Sequence, residues 1–265
     1  MDLYLLWAAF ILGIIEGATE FLPVSSTGHL IIAADVLDFG TNSSQVFEIF
    51  IQLGAILAVL IEYRKKITDT FIGLPHSSIA QNFTLLIFIA FFPAALLGLL
   101  FHEYIKFYLF NPITVAYALI IGGMILIIIE KKLPERKPID VDQISKPQAF
   151  MIGLAQCFSL IPGVSRAAST IMGGLIVGLD RKTAAEFSFF LAIPIIVAAS
   201  FFDLFKNIDL LNSSDIPVFA IGFITSFISA LIVIKIFISF ISRHNFVIFG
   251  WYRILVGLIT LYYFY

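Results

Sequence analysis

Apolar runs dominate this chain, and their lengths and interruptions predict its elements. Six runs, roughly 46–63, 84–101, 113–130, 185–202, 216–241 and 246–264, reach or approach the ~20 mostly apolar residues that cross about 30 Å of hydrocarbon. Two further apolar regions, 3–37 and 148–179, are each broken near the middle by a polar, proline-bearing segment. Each half is short for a full crossing. Both regions are therefore expected to be re-entrant helix–loop–helix hairpins, in which irregular backbone is tolerated because protein or water surrounds it.

The basic residues test this assignment. If each broken region enters and leaves by one face, Arg64, Lys65, Lys66, Lys131, Lys132, Arg136, Lys137, Lys146, Arg181, Lys182 and Arg243 fall on one side, against Lys106 and Lys206 on the other. That asymmetry is what the positive-inside rule demands, and full crossings would scatter it. Both termini are then expected outside the cytoplasm. The remaining cations, Arg166, Lys235 and Arg253, lie within apolar segments, and Lys235 and Arg253 are read as snorkelling towards helix ends.

The pattern also repeats. Gly13-Ile-Ile-Glu16 followed by Pro23-Val-Ser-Ser26 resembles Gly153-Leu-Ala-Gln156 followed by Pro162-Gly-Val-Ser165-Arg166. Each unit holds one hairpin and three spans, an odd number of crossings, so the second copy is expected upside down relative to the first. Inverted repeats with broken helices meeting near the midplane are a transporter-like architecture. The expected fold is thus a single all-α membrane domain over 1–265. It has six transmembrane helices, two re-entrant hairpins, and repeats of about 1–133 and 147–265 joined by a charged cytoplasmic linker.

Composition agrees: 265 residues are 60% hydrophobic and 13% charged, with mean hydropathy +1.02, against about 25% charged in soluble domains. A net charge of −2 gives no bulk attraction for nucleic acid. The lone Cys157 excludes an internal disulfide and argues against a cysteine-based structural metal site. No basic stretch precedes the first apolar run, so the N-terminus is expected to be retained.

The chemistry lies in the two breaks. Glu16 and Glu20 are four apart and stack on one helix face. Two such carboxylates need a proton, a cation or water between them, so they could hold a divalent metal or supply a general base. Pro23 ends the helix. Ser25, Ser26 and Thr27 then offer three hydroxyls, of which one is expected to cap the next helix, and a nucleophile beside a carboxylate and His29. A lone histidine would be structural; beside Ser26 and Glu20, His29 is a candidate for proton transfer. In the second break, Gly163 permits a sharp turn, Ser165 and Thr170 add donors, and Arg166 brings a planar fork suited to phosphate at a helix N-terminus. Arg166 paired with Glu16 or Glu20 would be compatible with that role. Glu48 and Gln52 share a face and could line the site, with Glu186 and Ser188 as their counterparts in the other repeat. Charged groups at membrane depth cost roughly 2.5–3.5 kcal/mol each on insertion scales, which argues against idle ones.

These motifs are similar to those of a known family. Glu16–His29 resembles the Glu-x-x-x-Glu and Pro-Val-Ser-Ser-Thr-Gly-His signature of the bacterial undecaprenyl-diphosphate phosphatase (bacitracin-resistance) family, and Pro162–Thr170 resembles its Pro-Gly-x-Ser-Arg-Ser-x-x-Thr motif. The likeness spans the chain, including Phe47-Glu-Ile-Phe-Ile-Gln-Leu-Gly54. It departs at Ala167, where the family usually has serine. The resemblance implies hydrolysis of the C55 isoprenyl diphosphate to its monophosphate and inorganic phosphate, recycling the carrier for peptidoglycan and surface polymers and conferring bacitracin resistance. It also implies a Mg²⁺ or Ca²⁺ requirement, with Glu16 and Glu20 as candidate ligands, and a site on the outer face of the bacterial cytoplasmic membrane. Catalysis would fall to Glu20, Ser26, His29 and Arg166, and substrate contacts to Ser25, Thr27, Gly163, Ser165 and Thr170. Ser26 attacks in one version, with Glu20 or His29 taking its proton; in the other, water attacks, activated by Glu20. Expected partners are the lipid substrate and membrane lipids, with a second copy of the chain left open and nucleic acid not expected. The alternative from another class is a carrier or flippase for an anionic isoprenyl lipid, which would not require the Ser26–His29–Glu20 set.

Overall fold

Helices are the only regular elements among the residues described by the computed structural model, which are 3–39, 44–134, 136–207 and 215–265, without the side chains of Ser44, Gln45, His102 and Lys106. The first broken region forms α1 (Leu3–Thr19) and α2 (Ser26–Val36). Helices α3 (Ser44–Glu62), α4 (Arg64–Gly73), α5 (Ser78–Leu109) and α6 (Pro112–Lys132) follow. The second broken region forms α7 (Lys146–Gln156) and α8 (Arg166–Ile176), ahead of α9 (Arg181–Lys206), α10 (Ile216–Ile241) and α11 (Val247–Phe264). Among the described residues, five helices are long and apolar enough to cross a membrane. A sixth is obtained if α3 counts with α4, which departs from it at 76°.

The one α-helix among the described residues that the hydrophobic pattern did not predict is α4, which stands where a basic loop was expected. It begins with Arg64, Lys65 and Lys66, has no buried residue, and leaves Phe71 and Ile72 mostly exposed. Its ten residues carry too few apolar positions to register as a span.

Glycines set the closest helix contacts. A methyl group on Gly13 would lie 2.5 Å from the Gly222 carbonyl, and one on Gly17 would lie 2.2 Å from the Ser226 carbonyl, so α1 lies directly against α10. Gly153 of α7 meets the Ala90 carbonyl of α5 at 2.6 Å in the same sense. Gly123 and Gly250 each abut the other's carbonyl, joining α6 to α11. Such small-residue seams let apolar helices associate where hydrophobic driving force is weak. Phe21, Phe187, Phe189, Phe237 and Phe246 fill the centre, while Phe88, Phe92, Leu99, Phe201 and Phe205 point outward.

One end of the molecule is knit by charges: Lys66 pairs with Asp142, Arg181 with Glu130 at 2.6 Å, and Lys235 with Glu62 at 3.4 Å. Arg136, Arg181, Lys182 and Arg243 share one cavity there. Lys206 and Glu103 pair elsewhere, between α9 and α5.

Candidate active site

Both helix breaks end in the same local device. Ser25 and Ser165 take left-handed backbone conformations, with φ of 71° and 76°, a cost that β-carbon-bearing residues meet only where the surroundings fix it. Each is the N-cap of the helix that follows. The Ser25 Oγ accepts from the Gly28 N–H at 3.4 Å, and the Ser165 Oγ from the Ala168 N–H at 3.1 Å. The sharp reversal places the next residue, Ser26 or Arg166, at the first position of its helix and aims both inward. Gly163, at φ 91°, makes the second turn, and a methyl group there would strike the Val115 carbonyl of α6 at 2.6 Å.

The two tips meet through Glu20. Its Oε2 accepts from the Ser26 hydroxyl at 2.6 Å, and its Oε1 accepts from Arg166 Nη2 at 2.9 Å. Ser26 and Glu20 are buried, and the Arg166 side chain is 11% exposed. Arg166 Nη1 donates to the Ser188 carbonyl and hydroxyl at 3.0 and 3.1 Å, and its guanidinium lies 5.6 Å from the Phe21 ring centre. Thr170 stands behind this clamp: its hydroxyl contacts the Ser188 hydroxyl at 2.7 Å and its own helix's carbonyls. The fork is thus held on two sides, leaving its buried Nε–H without a partner.

Both Glu16 carboxylate oxygens are also buried without a partner, within electrostatic reach of Glu20, Glu48 and Arg166. A buried carboxylate with no donor is costly, and its chemistry suits a proton or a cation. No group of three metal-ligating side chains forms among the described residues. A cation here would therefore rest on Glu16 and Glu20, with oxygens of a ligand or water completing its shell, as hard cations commonly do.

His29 does not touch Ser26 or Glu20 by hydrogen bond. Its Nδ1 contacts the Ser25 carbonyl at 2.7 Å, and its Nε2 the Tyr252 hydroxyl at 2.7 Å, with the two rings stacked. A carbonyl only accepts, so Nδ1 carries the proton, and Nε2 shares the Tyr252 hydroxyl's hydrogen bond. Of the two proton acceptors left open for Ser26, the one in contact is Glu20. Thr27 is partly buried beside them. Ala167 is fully buried.

Arg253 corrects an expectation. Rather than snorkelling, it is fully buried and donates only to carbonyls: Pro23 at 3.1 Å, Gly163 at 3.1 Å, Ala118 at 3.3 Å and Leu119 at 3.5 Å. Position within an apolar run could not separate a buried cation from a snorkelling one. Nor did any pattern single out Tyr252 as the histidine's partner.

Fold and site together define a multi-pass, all-helical membrane protein whose polar centre is made where two helix breaks converge. The chain belongs to the family described as bacitracin resistance protein BacA, which it matches over residues 9–259. It is 52% identical to the undecaprenyl-diphosphatase of Methylobacillus flagellatus over the full length of both chains. It is also 52% identical to undecaprenyl-diphosphatase 1 of Pseudomonas fluorescens and to the undecaprenyl-diphosphatase of Aromatoleum aromaticum, covering 98% of this chain and 95% of each relative.

Proposed function

We propose that this protein hydrolyses undecaprenyl diphosphate to undecaprenyl phosphate and inorganic phosphate. The observation that carries the reading is Glu20, shared between the hydroxyl of one tip and the guanidinium of the other. The incoming terminal phosphoryl group draws Arg166 off Glu20, with the free Nε–H as a further donor, and leaves the carboxylate to accept the Ser26 proton. The Ser26 Oγ–P bond forms as the bridging P–O bond breaks, releasing the lipid monophosphate and leaving a phosphoserine. Glu20 passes the Ser26 proton to the leaving monophosphate or to solvent water. When water then cleaves the ester, the freed carboxylate takes the water's proton and returns it to the Ser26 oxygen, and orthophosphate leaves with Ser26 and Glu20 as they began. Phosphoryl transfer depends mainly on such positioning and charge stabilisation. A bound Mg²⁺ or Ca²⁺ at Glu16 and Glu20 would supply neutralisation of the diphosphate charge.

The 2.6 Å contact between Ser26 and Glu20 favours the serine as nucleophile over direct attack by water. A carrier without chemistry gives that contact no task. The architecture that fits is six spans with two re-entrant hairpins in inverted repeats, and two things support it. The caps at Ser25 and Ser165 are alike, and α1 packs on α10 as α7 packs on α5. The basic end then faces the cytoplasm and the site faces outward across the bacterial inner membrane.

The test is orthophosphate release from an isoprenyl diphosphate by detergent-purified protein, with Ser26→Ala and with chelator. Wild type should release phosphate and lose the activity on chelation. Ser26→Ala should be inactive, and a slowed variant should yield a trapped phosphoserine. Unchanged turnover in Ser26→Ala would remove the nucleophile role, and no release by wild type would remove the enzyme reading.

A further inference from the structure

Arg253 is a cation with no carboxylate paired to it, sealed from solvent, and its four hydrogen bonds all go to main-chain oxygen. Such a group is expensive to bury; a methionine of similar reach would be easier to accommodate. Two of its partners explain why it is there. Pro23 and Gly163 occupy the same place in the two breaks: each stands two residues before the left-handed serine cap and three before the functional residue, Ser26 or Arg166. One guanidinium thus spans the carbonyls of both tips, with Nη1 on the first and Nη2 on the second, both at 3.1 Å. Helix α6 makes room for it: a methyl group on Gly122 would lie 2.3 Å from Nη2. The neighbouring Tyr252 holds His29, so α11 grips the first tip twice.

We propose that Arg253 is a positioning residue, fixing the separation between the tip that carries Ser26 and the tip that carries Arg166. The planar fork with two parallel donors sets this distance. A lysine has three donors but carries them on one rotating nitrogen, so even where it reaches both carbonyls it does not fix the distance and angle between them. Loss of the tie leaves each tip's own groups in place but lets the nucleophile drift from the phosphoryl group held by Arg166. An ångström of misplacement costs about a hundredfold in rate, and it falls on kcat rather than on KM.

The kinetic readout rests on the phosphatase reading; the second readout does not. In a Cys157→Ser background, spin labels on cysteines replacing Leu22 and Ile161, one beside each tip, report the tip-to-tip distance by pulsed dipolar spectroscopy. Arg253→Gln and Arg253→Lys should lower kcat by about a hundredfold with KM little changed, and should broaden or shift the distance distribution. If Arg253→Gln does not fold, Gly122→Ala keeps the charge while pressing on Nη2 and should move both readouts the same way. A normal kcat with an unchanged distance overturns the proposal, as does a fallen kcat with an unchanged distance. A distance that responds in a protein with no phosphatase activity would leave the tie standing and remove the functional reading instead.

Discussion

Arg166 is where single-residue chemistry is most exposed to test. Its fork contacts Glu20 on one edge and Ser188 on another while lying against Phe21, a set of contacts that a point charge on a flexible stem does not reproduce. Arg166→Lys should therefore lower kcat/KM for phosphate release by about a hundredfold or more, the usual cost of losing a key charge stabiliser; near-normal hydrolysis would remove Arg166 from the phosphate site. The residues of this centre were largely legible in the sequence, because hydroxyls, carboxylates and an arginine inside apolar runs stand out by their cost. The cap expected among Ser25, Ser26 and Thr27 falls to Ser25, and the turn expected at Gly163 is there. What stayed hidden is that Ser165 and Thr170 spend their hydroxyls on a cap and on Ser188, and that Gly163 also lends a carbonyl. Arg253 and Tyr252 escaped because their partners are far away in sequence.

At the level of elements, the lengths of apolar runs placed each long helix to within a few residues at most ends, α5 excepted. That helix runs from Ser78 to Leu109, past both ends of its most apolar stretch, and carries Pro93 inside. Helix α4 was missed since its chemistry is interfacial rather than apolar throughout. The seam between α1 and α10 is the element contact on which the site depends, because α1 carries Glu16 and leads into Glu20. Gly17→Ala drives a methyl group against the Ser226 carbonyl and the Ala230 nitrogen, both backbone atoms, and should destabilise the protein by about 1–3 kcal/mol, read as a lower melting temperature in detergent. Gly98→Ala is the matched control. The added methyl meets only the Leu160 side chain at 3.4 Å, and relief of glycine's helix penalty should leave stability equal or raised by up to about 1 kcal/mol. Equal melting temperatures for the two variants would mean that the α1–α10 seam is not tight.

For the molecule as a whole, the defining event is the convergence of two chain segments some 140 residues apart: Glu20 and Arg166 are 146 positions from one another along the chain and 2.9 Å apart in space. Read as an inverted repeat, the motif predicts two like turns that meet near the midplane; how they meet is fixed by the contacts of α6 and α11 with both turns, which no local pattern encodes. The basic residues foretold which loops share an end, and the Lys66–Asp142 and Arg181–Glu130 pairs gather them there. If the tips form one reaction centre, their residues must fail together. The most direct measurement is a double-mutant cycle on kcat/KM for phosphate release with Glu20→Gln, Arg166→Ala and the pair. One shared centre predicts that the double variant is little worse than the poorer single one, as for groups that act as a unit. Losses that simply multiply, as for distant independent sites, would contradict it.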